Sequence, residues 1–585
     1  MKIKKVFDKS SHHFNIVYHQ EKLEINGGSM EAIWAAGSCL ICYFIFYRFY
    51  AKFLGAQIFR LDPQVSTPAH QLRDNIDYVP CRRTVLFGHH FASIAGLSPM
   101  LGPAIAVIWG WLPGMLWVVF GTLLIGAVHD FGALVLSMRN RGLSIGKIAE
   151  EIIGSRAKSL FHILIFFLVC LAMGVFVHVV ANLLTIAFYP EAVLPTFFLI
   201  VIALVVGWAV FKKSIPIWKV TVLGFILILV TIWVGLQIPR PDLTAGQWGL
   251  LLLIYAFFAS TLPVWALLQP RDYLNSFLLY LGLGIAYLGF FVLNPKFAAP
   301  TINTDPLGAP PIFPFVFIVI ACGAVSGFHG LVSSGTTSKQ ISSEPDSVMI
   351  GYGGMIGESL LGLLAVLACT AGFKTVDAWH NHYQSWASAG TLSEKMRAFI
   401  DGSALFISQL GVPFAWAQAF MALVAVSFAL TSLDTGTRLL RYNIHEMADG
   451  LKLPLFTNRI LSSALATCAI GFFAFYQVNG KPAGLLLWKL FGSTNQVLGA
   501  LTLLTIAIYL RQRKRNHWVV TIPMGFMIMV TIIAMVIEIN GYWDSRQYLL
   551  LAVGGIIFIL SLWVMLEATL RFRKDNLPDQ GPLLK

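Results

Sequence analysis

Gly88-His89-His90-Phe91-Ala92-Ser93-Ile94-Ala95-Gly96 and Gly327-Phe328-His329-Gly330-Leu331-Val332-Ser333-Ser334-Gly335 share the pattern G-x-H-x5-G inside otherwise apolar runs. Ser98-Pro99 and Gly102-Pro103 follow the first, and Thr336-Thr337 follow the second. Glycine, proline and hydroxyls loosen a helix and free backbone groups. At membrane depth such groups are tolerated only where they are buried in protein or line a cavity. Paired glycine- and proline-interrupted spans are the sequence mark of a solute site in a carrier built from repeats. The plainer alternative is that these glycines only allow close helix packing.

Around these stretches the chain is written for lipid. Hydrophobic residues are 57% of 585, charged residues are 12%, and the mean hydropathy is +0.73. Soluble domains carry roughly 25% charged residues. Many apolar runs here approach the ~20 residues a helix needs to cross hydrocarbon. The net charge of +13 does not indicate nucleic acid, because the basic residues are dispersed between apolar runs. The seven cysteines lie mostly inside those runs. Cys39-x-x-Cys42 has no second pair and reads as two small buried residues rather than a metal site.

The expected fold is all-α, with about fifteen transmembrane helices of ~20 residues each. The spans fall near 32–56, 84–109, 111–137, 158–187, 192–212, 217–238, 247–269, 271–294, 312–336, 347–372, 412–433, 457–477, 483–509, 517–539 and 547–570. Strands have no place in lipid. The sizeable polar segments are 1–29, 57–83 and 373–411. Alternate short loops hold the basic residues, among them Arg139, Arg141, Lys212, Arg438, Arg513 and Lys514. By the positive-inside rule the N-terminus is outside and the C-terminus is cytoplasmic. Residues 1–29 break that pattern with five lysines. They read as a polar extension, with a native start at Met30. The transporter domain is then 30–572, and 573–585 form a cytoplasmic tail.

The two glycine-rich stretches lie in spans 2 and 9, which cross in opposite directions. That points to an inverted repeat, of seven helices or of five with additions. Ionisable groups at membrane depth are functional candidates by default, and four of them fall in the inner half to the middle: His90, Asp130, His329 and Glu358. Desolvation and a neighbouring histidine are the two devices that bring a carboxylate's titration toward neutral pH. The expected solute- and ion-binding set is His89, His90, Ser93, His329, Ser333, Ser334, Thr336 and Asn495. Asp130 and Glu358 form the proton relay. Asp272, which closes span 7, and Asp434 and Arg438, which end span 11, supply a gate. The plainer alternative for each polar group is satisfaction of backbone opened by the glycine breaks, or hydrogen bonding between helices for Asn495 and Gln496.

The stretches Asp77-Tyr78-Val79-Pro80, Leu86 to Gly96, Ala321 to Lys339, Leu262-Pro263-Val264-Trp265, Gln269-Pro270-Arg271-Asp272-Tyr273, Gly351 to Met355, Asp434 to Arg438 and Phe491 to Gln496 together resemble the carbon starvation (CstA) family. The resemblance runs from about Met30 to the last spans. Cys81 stands where the family has threonine, and Arg82-Arg83 where it has Asn-Lys. It implies uptake of pyruvate or short peptides across the bacterial inner membrane under carbon starvation. It also implies kinship with the amino acid–polyamine–cation superfamily of inverted-repeat carriers. The partners are then a small-molecule substrate and the lipid bilayer, without nucleic acid. No cofactor is expected beyond a coupling proton or sodium ion. The main rival is an intramembrane metal-binding or redox enzyme using His89, His90, His129, Asp130 and His329, because His/carboxylate sets bind zinc or iron. A channel is a second rival, disfavoured by the lack of a repeated pore loop.

Overall fold

The computed structural model describes residues 31–238, 241–478 and 480–573, and in it the chain is a bundle of α-helices. The expected extension at 1–29 and the tail beyond Arg573 lie outside the described residues. In chain order the principal helices are α1 (Ala32–Ile58), α2 (Arg83–Ile94), α3 (Ser98–Trp109), α4 (Trp111–Arg139), α5 (Ser155–Leu183), α6 (Pro190–Phe211), α7 (Trp218–Gln237), α8 (Ala245–Thr261) and α9 (Leu268–Leu293). They continue as α10 (Ile312–Val319), α11 (Gly327–Gly335), α12 (Val348–Ala371), α13 (Leu392–Ser408), α14 (Phe414–Gly450), α15 (Arg459–Phe475), α16 (Ala483–Gln512), α17 (Trp518–Asp544) and α18 (Tyr548–Arg573).

Among the described residues, eleven helices are long and apolar enough to cross a membrane, and twelve if the bent pair α2/α3 counts as one span. The expected fifteen exceeds this count for a physical reason. Helices α8 and α15 are apolar but shorter, and the segment at 312–336 is split into α10 and α11 by an unwound stretch.

Burial separates an inner from an outer ring. The most apolar window of α16 is wholly enclosed, and those of α5, α12 and α14 are mostly so. Helices α1, α7, α17 and α18 bury a third or less of theirs. Trp218, Val222, Leu223 and Ile226 of α7 are exposed, which suits a surface facing lipid chains.

Both G-x-H-x5-G stretches lie beside helix breaks. α2 stops at Ile94, and α3 starts at Ser98 with Pro99 in its first turn, where a missing N–H costs nothing. The pair is bent by 47°. In the second stretch the break comes first, at residues 320–326, and the motif forms α11. Cys81, just before α2, donates its N–H to Gln340 O at 2.9 Å, just after α11. The start of α2 and the end of α11 are therefore on one side, and the two broken helices run in opposite directions.

Four local expectations change. α8 ends at Thr261 because Pro263 cannot continue it. Gln269 to Tyr273 therefore open α9 instead of closing span 7. Asp434 to Arg438 do not end a span, since α14 runs 37 residues through them to Gly450, their charges having found buried partners. The polar segment at 373–411 contains α13, whose Met396, Phe399 and Phe406 are fully buried. A two-residue hairpin pairs Gln477–Val478 with Lys481–Pro482 in the turn after α15, the one place where strands occur among the described residues.

Candidate functional site

The unwound stretch between α10 and α11 needs partners for its freed backbone, and its neighbours supply them. Trp117 Nε1 of α4 donates to Ile320 O at 3.0 Å, and Thr122 Oγ1 donates to Gly323 O at 3.1 Å. From α16, Gln496 Nε2 donates to Phe317 O at 2.7 Å. Asn495 Oδ1 accepts the N–H of Phe328 at 3.0 Å, and Asn495 Nδ2 donates to Ser326 Oγ at 3.1 Å. Gly323 turns the chain with φ of +92°, a left-handed conformation that glycine adopts without steric cost. Its N–H donates to Glu358 Oε1 at 3.1 Å. The break is thus a built joint, and Asn495 belongs to it.

One turn into α11, His329 stands between two carboxylates. Its Nδ1 lies 3.1 Å from Asp130 Oδ2 and 3.1 Å from Met355 Sδ, and its Nε2 lies 3.4 Å from Glu358 Oε1. His129 Nδ1 holds the other Asp130 oxygen at 2.7 Å. All four ionisable groups are fully buried. Neither His329 Nε2 nor Glu358 Oε2 closes a hydrogen bond among the described residues. A chain of acid, base and acid with open polar atoms can pass a proton. The ligand atoms of Cys322, His329 and Glu358 also lie within 4.8 Å of one another, close enough to share a cation.

His90 is not the counterpart of His329 in environment. Its Nδ1 is 2.9 Å from Thr337 Oγ1, and its ring lies over Gly354, where a Cβ would come within 2.8 Å of it. The glycines of α12 let α2 approach in this way, which brings Glu358 into the bundle. His89 belongs to a second network. Its Nδ1 contacts Asp272 Oδ2 at 2.6 Å, and Arg271 Nη2 donates to Asp272 Oδ1 at 2.7 Å. Arg271 Nη1 also donates to Asp434 and Tyr255, and Tyr255 OH donates to Asp434 Oδ2 at 2.6 Å. This network, whose ionisable groups His89, Arg271, Asp272 and Asp434 are buried, joins α2, α8, α9 and α14 and unites two of the residues expected at a gate.

The two breaks meet at a small central cavity. Ile94, Gly96 and Ser98 line it from the first break, and Cys322 and Phe328 from the second. Phe176, Phe491 and Ser432 close it, and no charged side chain lines it. Ser93, which precedes Ile94, is outside the lining, its Oγ 3.2 Å from Thr435 Oγ1. Ser333 is buried with its hydroxyl unpartnered among the described residues. Thr336 Oγ1 donates back to Val332 O, and Ser334 Oγ to Gly330 O, so both are bound to their own helix.

Arg438, the third residue expected at a gate, lies elsewhere. Its Nη1 donates to Asp77 Oδ1 at 2.9 Å, and its Nη2 donates to the carbonyls of Ala259 and Leu262. Arg441 approaches Asp77 at 3.4 Å. Burial alone would raise the Asp77 carboxyl, but Arg441, Arg438 and Lys339 outweigh it and hold the group well below the usual carboxylate range. Asp77 thereby pins the segment 61–82 across the ends of α2 and α11. Tyr78 OH donates to Arg141 O, and Ser342 Oγ donates to Cys81 O. Asp77→Asn should loosen this strap. In a chain keeping Cys81 as its sole cysteine, maleimide labelling from that face should speed up about tenfold, equivalent to ~1.4 kcal/mol. An unchanged rate would mean that the backbone contacts hold the strap alone.

Arg271, Tyr255, Asp77, Cys322 and Met355 were not singled out as site residues from the sequence. A signal existed for Arg271, a cation beside a candidate carboxylate in an apolar run, and for Asp77, which opens a motif already noted.

Residues 31–534 match the family described as carbon starvation protein CstA. The peptide transporter CstA of Escherichia coli (strain K12) is 33% identical, over 87% of this chain and 81% of its own length. The pyruvate/proton symporter BtsT of the same organism is 32% identical, over 86% and 81%. Among solved structures, a manganese transporter of Eremococcus coleocola aligns with a TM-score of 0.48 and 12% identity, over 86% of this chain and 99% of that one.

Proposed function

Because the chain belongs to the carbon starvation protein CstA family, we propose that it is a proton-coupled secondary transporter that takes up short peptides or pyruvate across the bacterial inner membrane, and not an enzyme. The observation that carries this reading is His329 held between Asp130 and Glu358 beside the cavity where both helix breaks meet. The relatives named for peptide transport and for pyruvate/proton symport support the solute class and the coupling ion.

In this reading the solute carboxylate occupies the central cavity. The N-terminal ends of α3 and α11 supply positive partial charge there, in place of a charged side chain. Glu358 takes a proton from outside, and His329 passes it toward Asp130 as the solute moves inward. The strap pinned by Asp77 closes the cytoplasmic mouth. The twelve spans, the shorter α8 and α15, and the pair α10/α11 make fifteen crossings, with the N-terminus outside and the C-terminus cytoplasmic. The two antiparallel broken helices are corresponding elements of an inverted repeat. Both imidazole nitrogens of His329 already face carboxylates, which favours proton exchange over a resident metal at Cys322, His329 and Glu358.

The test is uptake of labelled pyruvate and dialanine into proteoliposomes at varied pH and sodium. Glu358→Gln keeps size and hydrogen bonding but cannot titrate. It should retain solute exchange and lose accumulation driven by a pH gradient. Accumulation at the wild-type rate by Glu358→Gln, or uptake that follows sodium and ignores pH, would overturn the proton assignment.

A further inference from the structure

A second cavity lies at the far end of α11. This helix is nine residues long, ~13 Å at ~1.5 Å per residue. Its first turn borders the central cavity through Phe328, and its last lines the second cavity through Ser334 and Gly335. The lining of the second cavity includes a cation, Lys339, and a carboxylate, Glu446, which the central cavity lacks.

Each of these groups is held ready for a ligand. Lys339 Nζ rests 3.9 Å from the ring centroid of Tyr442 and 5.4 Å from that of Tyr78. Among the described residues no carboxylate lies within ion-pair distance of it. The charged groups around it are Asp77, Glu446, Arg441 and Asp74, and Asp77 is committed to Arg438 and Arg441. Glu446 is positioned by Ser144 Oγ at 2.6 Å and faces His162 Nε2 at 3.7 Å. Both contacts fall on Oε2, which among the described residues leaves Oε1 to accept from a ligand. Leu331 and Leu439 give the cavity an apolar wall.

We propose that this cavity is a second, inner binding site for the transported solute, and that it selects a zwitterion with a free ammonium and a free carboxylate, as a short peptide presents. The carboxylate pairs with Lys339 and the ammonium with Glu446. The inference rests on the carrier reading above and narrows its solute class. A monoanion such as pyruvate satisfies Lys339 but meets the like charge of Glu446, whereas a zwitterion satisfies both. Charge-assisted bonds at each end make the site selective, because a solute lacking one charge forgoes the bond to one of these half-buried partners.

The experiment is equilibrium binding of dialanine, N-acetyl-dialanine, dialanine amide and pyruvate to the purified full chain in lipid nanodiscs. Its outcome does not depend on transport. Wild-type protein should prefer dialanine over each capped analogue, and over pyruvate, by about tenfold or more. Glu446→Gln should erase the discrimination against the acetylated analogue only, and Lys339→Met that against the amide only. If either variant fails to fold, Ser144→Ala reads the same site. It removes the hydroxyl that orients Glu446, and should weaken dialanine a few-fold while leaving the acetylated analogue unchanged. Unaltered discrimination in the variants, or pyruvate binding as tightly as dialanine, would overturn the inner site. Failure of wild-type protein to take up any of these solutes into proteoliposomes would instead count against the carrier reading.

Discussion

Arg271→Met is expected to leave little folded protein in detergent. The guanidinium touches Asp272 through Nε and Nη2, and it reaches Asp434 and Tyr255 through Nη1, all within the bundle. Removing it strands Asp272 and Asp434 as buried carboxylates without their cation. Breaking a buried pair from one side costs about 3–5 kcal/mol, a large fraction of the stability of an ordinary domain. Lysine should rescue only in part, since an ammonium cannot reproduce a fork that serves two carboxylates at once. Asp434→Asn in the Arg271→Met background should recover some folded protein, because it removes one stranded charge. Size-exclusion profiles after graded heating would read all three variants. A wild-type melting temperature for Arg271→Met would refute the structural role of the network.

His329→Gln should behave differently, with folded protein retained and transport lost. Glutamine can still hydrogen-bond within α11's surroundings, and Asp130 keeps His129 at 2.7 Å. What disappears is the only titrating bridge, among the described residues, between Asp130 and Glu358. Uptake and exchange should both fall on the order of a hundredfold, equal to ~2.7 kcal/mol in the barrier. His129→Gln, which touches Asp130 alone, should cost much less. Uptake by His329→Gln at half the wild-type rate would remove this histidine from the proton path.

The sequence carried the architecture at the level of helices and breaks. The runs near 111–137 and 347–372 correspond to α4 and α12 within two residues, because a bilayer imposes length and polarity on each span separately. Pairings were not legible in the same way. His89 meets Asp272 across 183 positions, and Arg438 meets Asp77 across 361. No local periodicity encodes such separations. Treating charge as the end of a span made α14 too short, since Asp434 is offset by Arg271 on α9 and Arg438 by Asp77 in the strap. Equal motif positions also misled for His90 and His329. One motif precedes its break and the other follows it, so the two imidazoles face different neighbours.

The complete enclosure of the most apolar window of α16 has a consequence for how the chain enters the membrane. Its apolar window is the least apolar of the eleven, and Asn495, Gln496, Thr502 and Thr505 are buried in it. Such a segment partitions weakly into lipid by itself, since polar side chains in a span must find partners within protein. It is synthesised after α4, α5 and α11, against which one side of it packs, and before α17, its most extensive partner, and α18. During biogenesis α16 therefore docks on the face that α4, α5 and α11 present, and α17 and α18 close over it afterwards. A truncated chain lacking α4 should leave α16 stranded at the translocon, where quality-control proteolysis would act on it first.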